Sequence, residues 1–402
     1  MRVHSTRLNR IKPRSDSYFE VLLPKKVSGY AKLLTKALSL SLANHIPLWR
    51  TRRQTLVWLV TLIIQTGTVS LWRLSGYVDT RARTLSVHRR FERFFQHVHL
   101  DGACVARLIV HIMGLAGKPW HLALDCTNWK FCRCHINILM LGIVHGRVCI
   151  PLFWVLLDKA GNSNAKERTD LMAKLNKFFP RQPVASLSGD REFIGETWLH
   201  WLESQSIPFS LRLKENMFIW NEGYVPVKLS PHARHLKNRQ KRILKGAWYL
   251  GRDPEKPTPP IKIAMMRLKP GEMLIVATSR IRIKTALPIY RNRWGIETLF
   301  SCLKTRGLGL EATHITDPRK LATLMSILAI AVCLAYKTGL WLARTKPPRR
   351  KIHGRLQQSI LALDLNTFRK AMVKMSEFEI IDYMAAIFRP SISRKPLIDE
   401  VL

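Results

Sequence analysis

The chain of 402 residues carries 66 Lys and Arg against 27 Asp and Glu, a net charge of +39, with 47% hydrophobic residues and 12 Trp. That hydrophobic content excludes a disordered tail, and the length accommodates several domains with a substantial core, at ~100–200 residues per domain. So large an excess of cations calls for a polyanionic partner, nucleic acid first, with an anionic membrane surface as the rival.

The N-terminus, Met1-Arg-Val-His-Ser-Thr-Arg7, is basic with no apolar signal core behind it, which predicts a cytoplasmic protein. The cysteines Cys104, Cys126, Cys132, Cys134, Cys149, Cys302 and Cys333 are odd in number and scattered, as reduced thiols are. Cys132, Cys134 and His135 crowd too closely for a familiar zinc site, and no second ligand pair stands at finger-like spacing, so strand and loop positions are expected for them.

Residues 1–115 read as a helical, basic region that binds DNA. From Met1 to Thr55 the only acids are Asp16 and Glu20. Gln54 to Gln65 predicts an apolar helix, Thr66 to Thr80 with Gly67, Ser75 and Gly76 predicts a turn, and Arg81 to Val98 predicts an amphipathic helix. In that last helix Arg83, Arg89, Arg90 and Arg93 interleave with Phe91, Phe94 and Phe95. A basic helix after a helix and a turn suits a reading helix in the major groove, with Arg89, Arg90 and Arg93 on phosphates. The alternative is a solvated surface helix packed by its phenylalanines.

The pattern changes near residue 119. His121-Leu-Ala-Leu-Asp125 predicts a short buried strand ending in a carboxylate, followed by a hairpin of Ile136 to Val144 and Val148 to Leu157 around His145-Gly146-Arg147. Gly161-Asn-Ser-Asn164 offers caps for a helix from Ala165 to Phe179, Val184 to Leu187 predicts a strand ending near Asp190, Gly195 to Gln205 a helix, and Ile207 to Lys214 a strand that includes Arg212. This order over residues 116–214 predicts an α/β fold, a mixed sheet with helices on its faces.

Residues 215–285 break the alternation and predict a β-rich insertion, with short strands at Met217 to Trp220, Trp248 to Gly251, Ile261 to Leu268 and Met273 to Ala277. Between them lies a basic tract in which Arg239 to Lys245 has no acid. Helical periodicity returns over residues 286–343, from Pro288 through Thr305 and again from Leu321 to Ala343. The apolar run from Leu321 to Tyr336 falls short of the ~20 residues of a membrane span and predicts a buried helix; the run from Ile136 to Leu157 is interrupted by its turn. Residues 344–402 begin with the basic linker Arg344 to Lys351 and continue as a mostly helical tail. No internal repeat is present.

The sharpest local pattern is Tyr290-Arg-Asn-Arg293-Trp-Gly-Ile-Glu297-Thr-Leu-Phe-Ser-Cys-Leu-Lys304. On one continuous helix Tyr290, Arg293, Glu297 and Lys304 fall at roughly 0°, 300°, 340° and 320°, a single narrow face. Helix geometry alone would make this a salt-bridged stripe, with Arg293 and Glu297 an i,i+4 pair.

The spacing Y-x2-R-x3-E-x6-K resembles the signature of cut-and-paste transposases of insertion-sequence family 4, a bacterial group of DDE recombinases. The resemblance runs from about Trp120 to Gly339. It implies a ribonuclease H-like catalytic core with a β-rich insertion before the signature helix. It also implies that Glu297 is the third catalytic carboxylate, Asp125 in Ala-Leu-Asp-Cys-Thr-Asn-Trp the first and Asp190 in Ser-Gly-Asp-Arg-Glu-Phe the second. Glu192 or Asp158 is the alternative for the second acid.

Phosphodiester cleavage needs a nucleophilic water and charge stabilisation on the entering and leaving oxygens, which two Mg²⁺ ions ~3.5–4 Å apart supply, with Mn²⁺ as a substitute. Mg²⁺ takes hard oxygen ligands, so Asp125, Asp190 and Glu297 are the expected metal ligands as well as the catalytic residues. Tyr290, Arg293, Lys304 and Arg212 are candidates to hold DNA phosphates. Trp220 or Trp248 is a candidate to stack on a base flipped from the duplex, as in hairpin-forming members of the family, or is a core tryptophan. The expected partners are double-stranded DNA, both element ends and target, and a second copy in a homodimer on DNA, with no membrane. Three alternatives stand beside this reading: an endonuclease on the same core without strand transfer, a catalytically inactive DNA-binding relic, against which the three retained acids argue, and a basic membrane-surface protein.

Overall fold

The computed structural model describes residues 29–131, 134–269, 272–304 and 307–345. The N-terminal residues up to 28, Cys132, Thr305, and the expected linker and tail beyond residue 345 lie outside the described residues.

Among the described residues five helices precede the sheet: α1 (Gly29–His45), α2 (Arg50–Thr66), α3 (Leu71–Ser75), α4 (Thr84–His97) and α5 (Gly102–Met113). The stretch expected as a turn therefore holds the short helix α3. Helix α2 stops at Gly67, whose φ of 68° returns its N–H to the Ile63 carbonyl. Helix α5 starts at Asp101, whose side chain accepts the Ala103 N–H. Val87, Phe91, Phe94 and Phe95 of α4 are buried, so its aromatic stripe is the packing face.

The strands and their crossing helices are β1 (Trp120–Phe131), β2 (Cys134–His145), β3 (Val148–Leu157), α6 (Ala165–Phe178), β4 (Val184–Gly189), α7 (Glu196–Ser204) and β5 (Phe209–Arg212). After them come β6 (Phe218–Trp220), β7 (Val227–Lys228), α8 (Ser230–Ala233), β8 (Lys241–Ile243), β9 (Tyr249–Leu250), β10 (Lys262–Lys269) and β11 (Glu272–Ser279). An 8-stranded sheet runs β3-β2-β1-β4-β5-β11-β10-β8, and a 3-stranded sheet runs β7-β6-β9. The fold is a mixed α/β architecture around a large mixed sheet.

Strand β1 differs from its expected form. It does not end at Asp125 but continues to Phe131, because every residue from His121 onward pairs with β2; β1 and β2 are themselves a hairpin. Parallel pairing of β1 with β4 and of β4 with β5 is spanned by α6 and α7, with α6 started by a reciprocal box in which Asn164 and Glu167 bond each other's backbone N–H. These strands are largely buried on both faces, as central parallel strands are, and buried polar groups on and beside them are bonded: Ser186 Oγ meets His121 Nδ1 at 2.7 Å, Ser210 donates to the Ala286 carbonyl at 3.1 Å, and Thr278 of the neighbouring β11 donates to the Phe209 carbonyl at 2.7 Å. Strand β11 pairs antiparallel with β5 and is followed outward by β10 and β8, so three strands of the expected insertion lie in the main sheet.

Three helices close the described chain: α9 (Ile283–Asn292), α10 (Trp294–Leu303) and α11 (Pro318–Thr345). Helix α9 packs on β4, β5, β10 and β11, α10 on β3, and α11 on α2, α5 and β3. At 28 residues α11 is longer than its apolar run predicts. It is long and apolar enough to cross a membrane, yet 89% of its most apolar window is buried within the protein, which is the pattern of a core helix. Its Tyr336 hydroxyl donates to the His145 carbonyl at 3.0 Å, tying it to the β2–β3 turn.

Candidate active site

The sheet register builds the site. Leu124 of β1 pairs with Gly189 of β4, and Gly189 pairs with Leu211 of β5. The next residues on the three parallel strands are Asp125, Asp190 and Arg212. Neighbouring strands lie about 4.8 Å apart, so two carboxylates and a guanidinium form one row. Arg212 reaches the Asp190 carboxylate at 3.8 Å and donates to the Met273 carbonyl at 3.4 Å.

A helical corner meets that row. The expected single helix through Tyr290 and Lys304 is broken: Arg293 caps both α9 and α10, and three-residue backbone bonds, from Arg293 to Tyr290 and from Ile296 to Arg293, tighten the chain there. The break separates the four signature residues. Tyr290 turns inward, 6% exposed, and its hydroxyl donates to Asp190 at 3.2 Å. Arg293, 4% exposed, donates one arm to Asp125 at 2.8 Å and the other to Glu297 at 2.5 Å. Lys304 lies on α10's far end, donating to the Asn128 carbonyl at 2.9 Å, pairing with Glu311 at 3.3 Å and standing over the Trp129 ring.

Close approach fixes this corner. A Cβ on Gly295 would come within 3.0 Å of the Val148 carbonyl carbon and 3.1 Å of the Cys149 nitrogen, so α10 begins directly against the backbone of β3.

The electrostatics follow from burying acids together. Burial pushes the Asp125 carboxyl up to about 7, against the opposing pull of Arg293 and the Cys126 N–H bond, and the charges of Glu192 and Asp190 add to the rise. Burial also raises Glu192, opposed by the Cys126 thiol and Arg168 and helped by Asp190. One Glu192 carboxylate oxygen is buried without a hydrogen-bond partner. Tyr290 is pushed up to about 12 by burial first. Burial alone would lower Arg293, but Tyr290, Asp125 and Glu297 outweigh it and hold the guanidinium firmly charged.

All-oxygen donors with excess negative charge and an unpartnered carboxylate oxygen suit a hard divalent cation. Asp125 and Glu297 do not close on a common point, because the Arg293 fork stands between them; among the described residues no group of three His, Cys, Asp or Glu is placed to hold one ion. Asp158, the other alternative acid, is exposed beyond the end of β3.

The remaining candidates are placed as follows. Arg89 and Arg93 are exposed on α4. Arg90 is folded back onto α2, donating to Thr55 Oγ1 and the Thr51 carbonyl at 2.8 Å each and lying 4.4 Å over the Trp58 ring. Trp220 is 3% exposed, its ring stacked 4.3 Å from Tyr249 and 5.7 Å from Tyr224. Trp248 is 8% exposed and donates to the Lys245 carbonyl at 3.0 Å. The sequence reading missed Arg168, a buried side chain that donates to the Glu192 carbonyl at 3.0 Å and to Ser163 Oγ at 2.9 Å. Its only signal was a single Arg among the apolar positions of α6.

Acids from two parallel strands and a helix, two of them joined by one buried arginine, on a chain of +39 charge, define a carboxylate-dependent enzyme of polynucleotides. Residues 117–334, more than half of the chain, match the Transposase DDE domain, and the chain belongs to that family. It is a DDE transposase, an endonuclease and strand transferase that acts on DNA, and enzymes of this class use divalent metal ions. No curated protein matches the chain. Among solved structures it is similar to the piggyBac transposase in a synaptic complex with hairpin DNA, at 12% identity and a TM-score of 0.41, covering 90% of this chain and 83% of that one. It is also similar to the catalytic domain of human endonuclease V, at 11% identity and a TM-score of 0.25, covering 61% of this chain and 96% of that one. Both likenesses are remote.

Proposed function

We propose that the chain is the transposase of a bacterial insertion sequence of family 4, which binds the ends of its element as a homodimer and moves it by cut-and-paste through hairpin ends. One observation carries the reading. Tyr290 bonds Asp190, and Arg293 bonds both Asp125 and Glu297, so the residues that the resemblance selects are also ones that meet in space. The parallel strands β1, β4 and β5, with the β1–β2–β3 antiparallel stretch beside them, support a ribonuclease H-like core from which the residues between β5 and α9 are an insertion.

Asp125, Asp190 and Glu297 would hold two Mg²⁺ ions, with Mn²⁺ as a substitute, and the ions would supply a metal-activated water and charge stabilisation at the entering and leaving oxygens. Arg293 and Arg212 keep the acids' charge compensated and the carboxylates oriented. Lys304, with the exposed Arg89 and Arg93, supplies cations to phosphates.

The test is an assay of the full-length protein with Mg²⁺ on duplexes carrying the element's own ends, resolved on denaturing gels. Nicked, hairpin and joined products together support the proposal. A protein that nicks and never joins is the endonuclease without strand transfer, and one that binds without cutting is the inactive relic.

A further inference from the structure

Helix α6 opens with its capping box, and the residue after the box is Arg168, 5% exposed. A cation in the first turn of a helix faces the positive end of the helix dipole, and burial adds the cost of desolvation. Burial pulls this guanidinium below its ordinary value, and the Glu192 charge is the largest influence the other way. Its hydrogen bonds nevertheless go to neutral oxygens: Nε donates to Ser163 Oγ at 2.9 Å, and Nη2 donates both to the Ser163 carbonyl and to the Glu192 carbonyl, the latter at 3.0 Å. One nitrogen thus bridges two loops, the one entering α6 and the one leaving β4.

What the bridge holds is the turn that carries Asp190. The Phe193 N–H donates to the Asp190 carbonyl at 2.9 Å, closing a four-residue turn in which Glu192 is third. Phe193 is fully buried, and a Cβ on Gly189 would meet the Phe193 Cβ at 3.0 Å, so this side chain packs directly on the residue before Asp190. Arg168 grips the turn twice, through the Glu192 carbonyl and with its guanidinium 4.9 Å from the Phe193 ring centre. The Asp190 carboxylate is engaged separately, by Tyr290 and Arg212.

We infer that Arg168 is a positioning residue: through the Asp190–Phe193 turn it fixes the backbone from which Asp190 presents its carboxylate to a divalent metal ion. This inference rests on the role proposed above for Asp190. An arginine that only anchored the start of α6 would need Ser163 and no bond to the turn. A buried cation at the wrong end of a helix is a costly device, and what it secures here is the position of one acid. Without that anchor the carboxylate samples more orientations, and its ion is held more weakly even where the fold is intact.

The experiment compares wild type, Arg168→Lys, Arg168→Met and Asp190→Ala as full-length proteins on a duplex of the element's end. Two quantities are read: the Mg²⁺ concentration for half-maximal nicking, and Mn²⁺ binding to the protein–DNA complex, followed by the electron paramagnetic resonance of the free ion with the DNA alone as blank. Arg168→Met is expected to raise the first about tenfold or more and to weaken the second by a similar factor, as when a group that orients a metal ligand is lost. Arg168→Lys keeps the charge without the planar fork, so a shift of about threefold is expected in both. End affinity should stay within a few-fold for each. Should Arg168→Met fail to fold, Arg168→Lys decides on the same two readouts. Arg168 variants that lose melting temperature or maximal rate while both metal readouts keep their wild-type values overturn the inference alone, provided that Asp190→Ala shifts them. An Asp190→Ala complex that binds Mn²⁺ as the wild type does overturns the role of Asp190 and this inference with it.

Discussion

Arg293 and Asp125, 168 residues apart in sequence, share a 2.8 Å ion pair in which the arginine side chain is 5% exposed and the aspartate 15%. The same guanidinium holds Glu297. Strand β1 and helix α10 are thus joined through one buried cation, and that cation offsets much of the charge two acids would otherwise bury alone.

Removing it leaves Asp125 buried and unpaired. Arg293→Ala is expected to lower unfolding free energy by about 3 kcal/mol, in the range for breaking a buried pair, and to abolish nicking, with Arg293→Lys less damaged in stability than in activity because Lys cannot fork to both acids. Urea denaturation alongside the end-nicking assay measures both; a stability loss under about 1 kcal/mol in Arg293→Ala would show that the pair adds little to the fold.

The three acids should separate catalysis from binding. Asp125→Ala, Asp190→Ala and Glu297→Ala are each expected to reduce nicking about a thousandfold or more while end affinity stays within a few-fold, because metal ligands act on the transition state. Glu192→Ala tests the second position. If Asp190→Ala cuts normally and Glu192→Ala does not, Glu192 is the second ligand.

Asp125 also sets a pH dependence. Its carboxyl sits at about 7 in the folded protein against an ordinary 3.8, so the folded state binds the proton more tightly. Its contribution to stability is present in full below about 4 and is lost as pH rises through about 7. Without divalent ions, the melting-temperature difference between Asp125→Asn and wild type is expected to widen in favour of the variant from pH 5 to pH 8. A difference flat with pH would place the carboxyl near its ordinary value.

On α4 the arginines divide into two groups. Arg89→Ala and Arg93→Ala are each expected to reduce the slope of log affinity against log salt by about one unit, as one phosphate contact is lost. Arg90→Ala is expected to leave the slope unchanged and to cost about 1–2 kcal/mol of stability, since its bonds and ring contact hold α4 to α2. Fluorescence anisotropy across a salt series and a denaturation curve distinguish the two groups, and a fall in slope for Arg90→Ala would reverse its assignment.

Lys304 bears on joining. Strand transfer must align a 3′-hydroxyl against a second phosphate, a demand that nicking does not make. Lys304→Ala is expected to reduce hairpin formation and target joining more than first-strand nicking, on gels that resolve all three products. Equal loss at every step would make it a general docking cation.

The longer helices and the β2–β3 hairpin were legible because their period-2 and period-3.6 patterns and their caps are local; Asn164 with Glu167 and Gly67 are examples. The candidate site residues were selected only through the signature, since nothing at Asp125 or Asp190 distinguishes them from turn aspartates. What the sequence could not reveal was decided across space. The extension of β1 past Asp125 needed β2 as a partner, the inward turn of Tyr290 needed the break at Arg293, and the neighbourhood of Arg212 and Asp190 follows from a register that no spacing encodes. Arg90 was read as a phosphate contact because a chain pattern does not show that Thr51 and Thr55 lie opposite it.

The chain leaves β5, adds β8 and β10 farther out on the same sheet, and comes back to β5 on β11, the strand alongside, with Arg212 opposite Val276 and the Leu213 N–H on the Ile275 carbonyl at 2.8 Å. Departure and return lie side by side on β5 and β11, so where α9 begins is set by β11 and not by how far the polypeptide wanders in between. The closure entropy of such an excursion grows only with the logarithm of its length. Its outer reaches, such as the exposed turn at residues 221–225, are therefore free to be lengthened, trimmed or exchanged over evolutionary time while the acids keep their places. A lineage of these enzymes can vary what it touches beyond the cut without rebuilding the machinery that makes it.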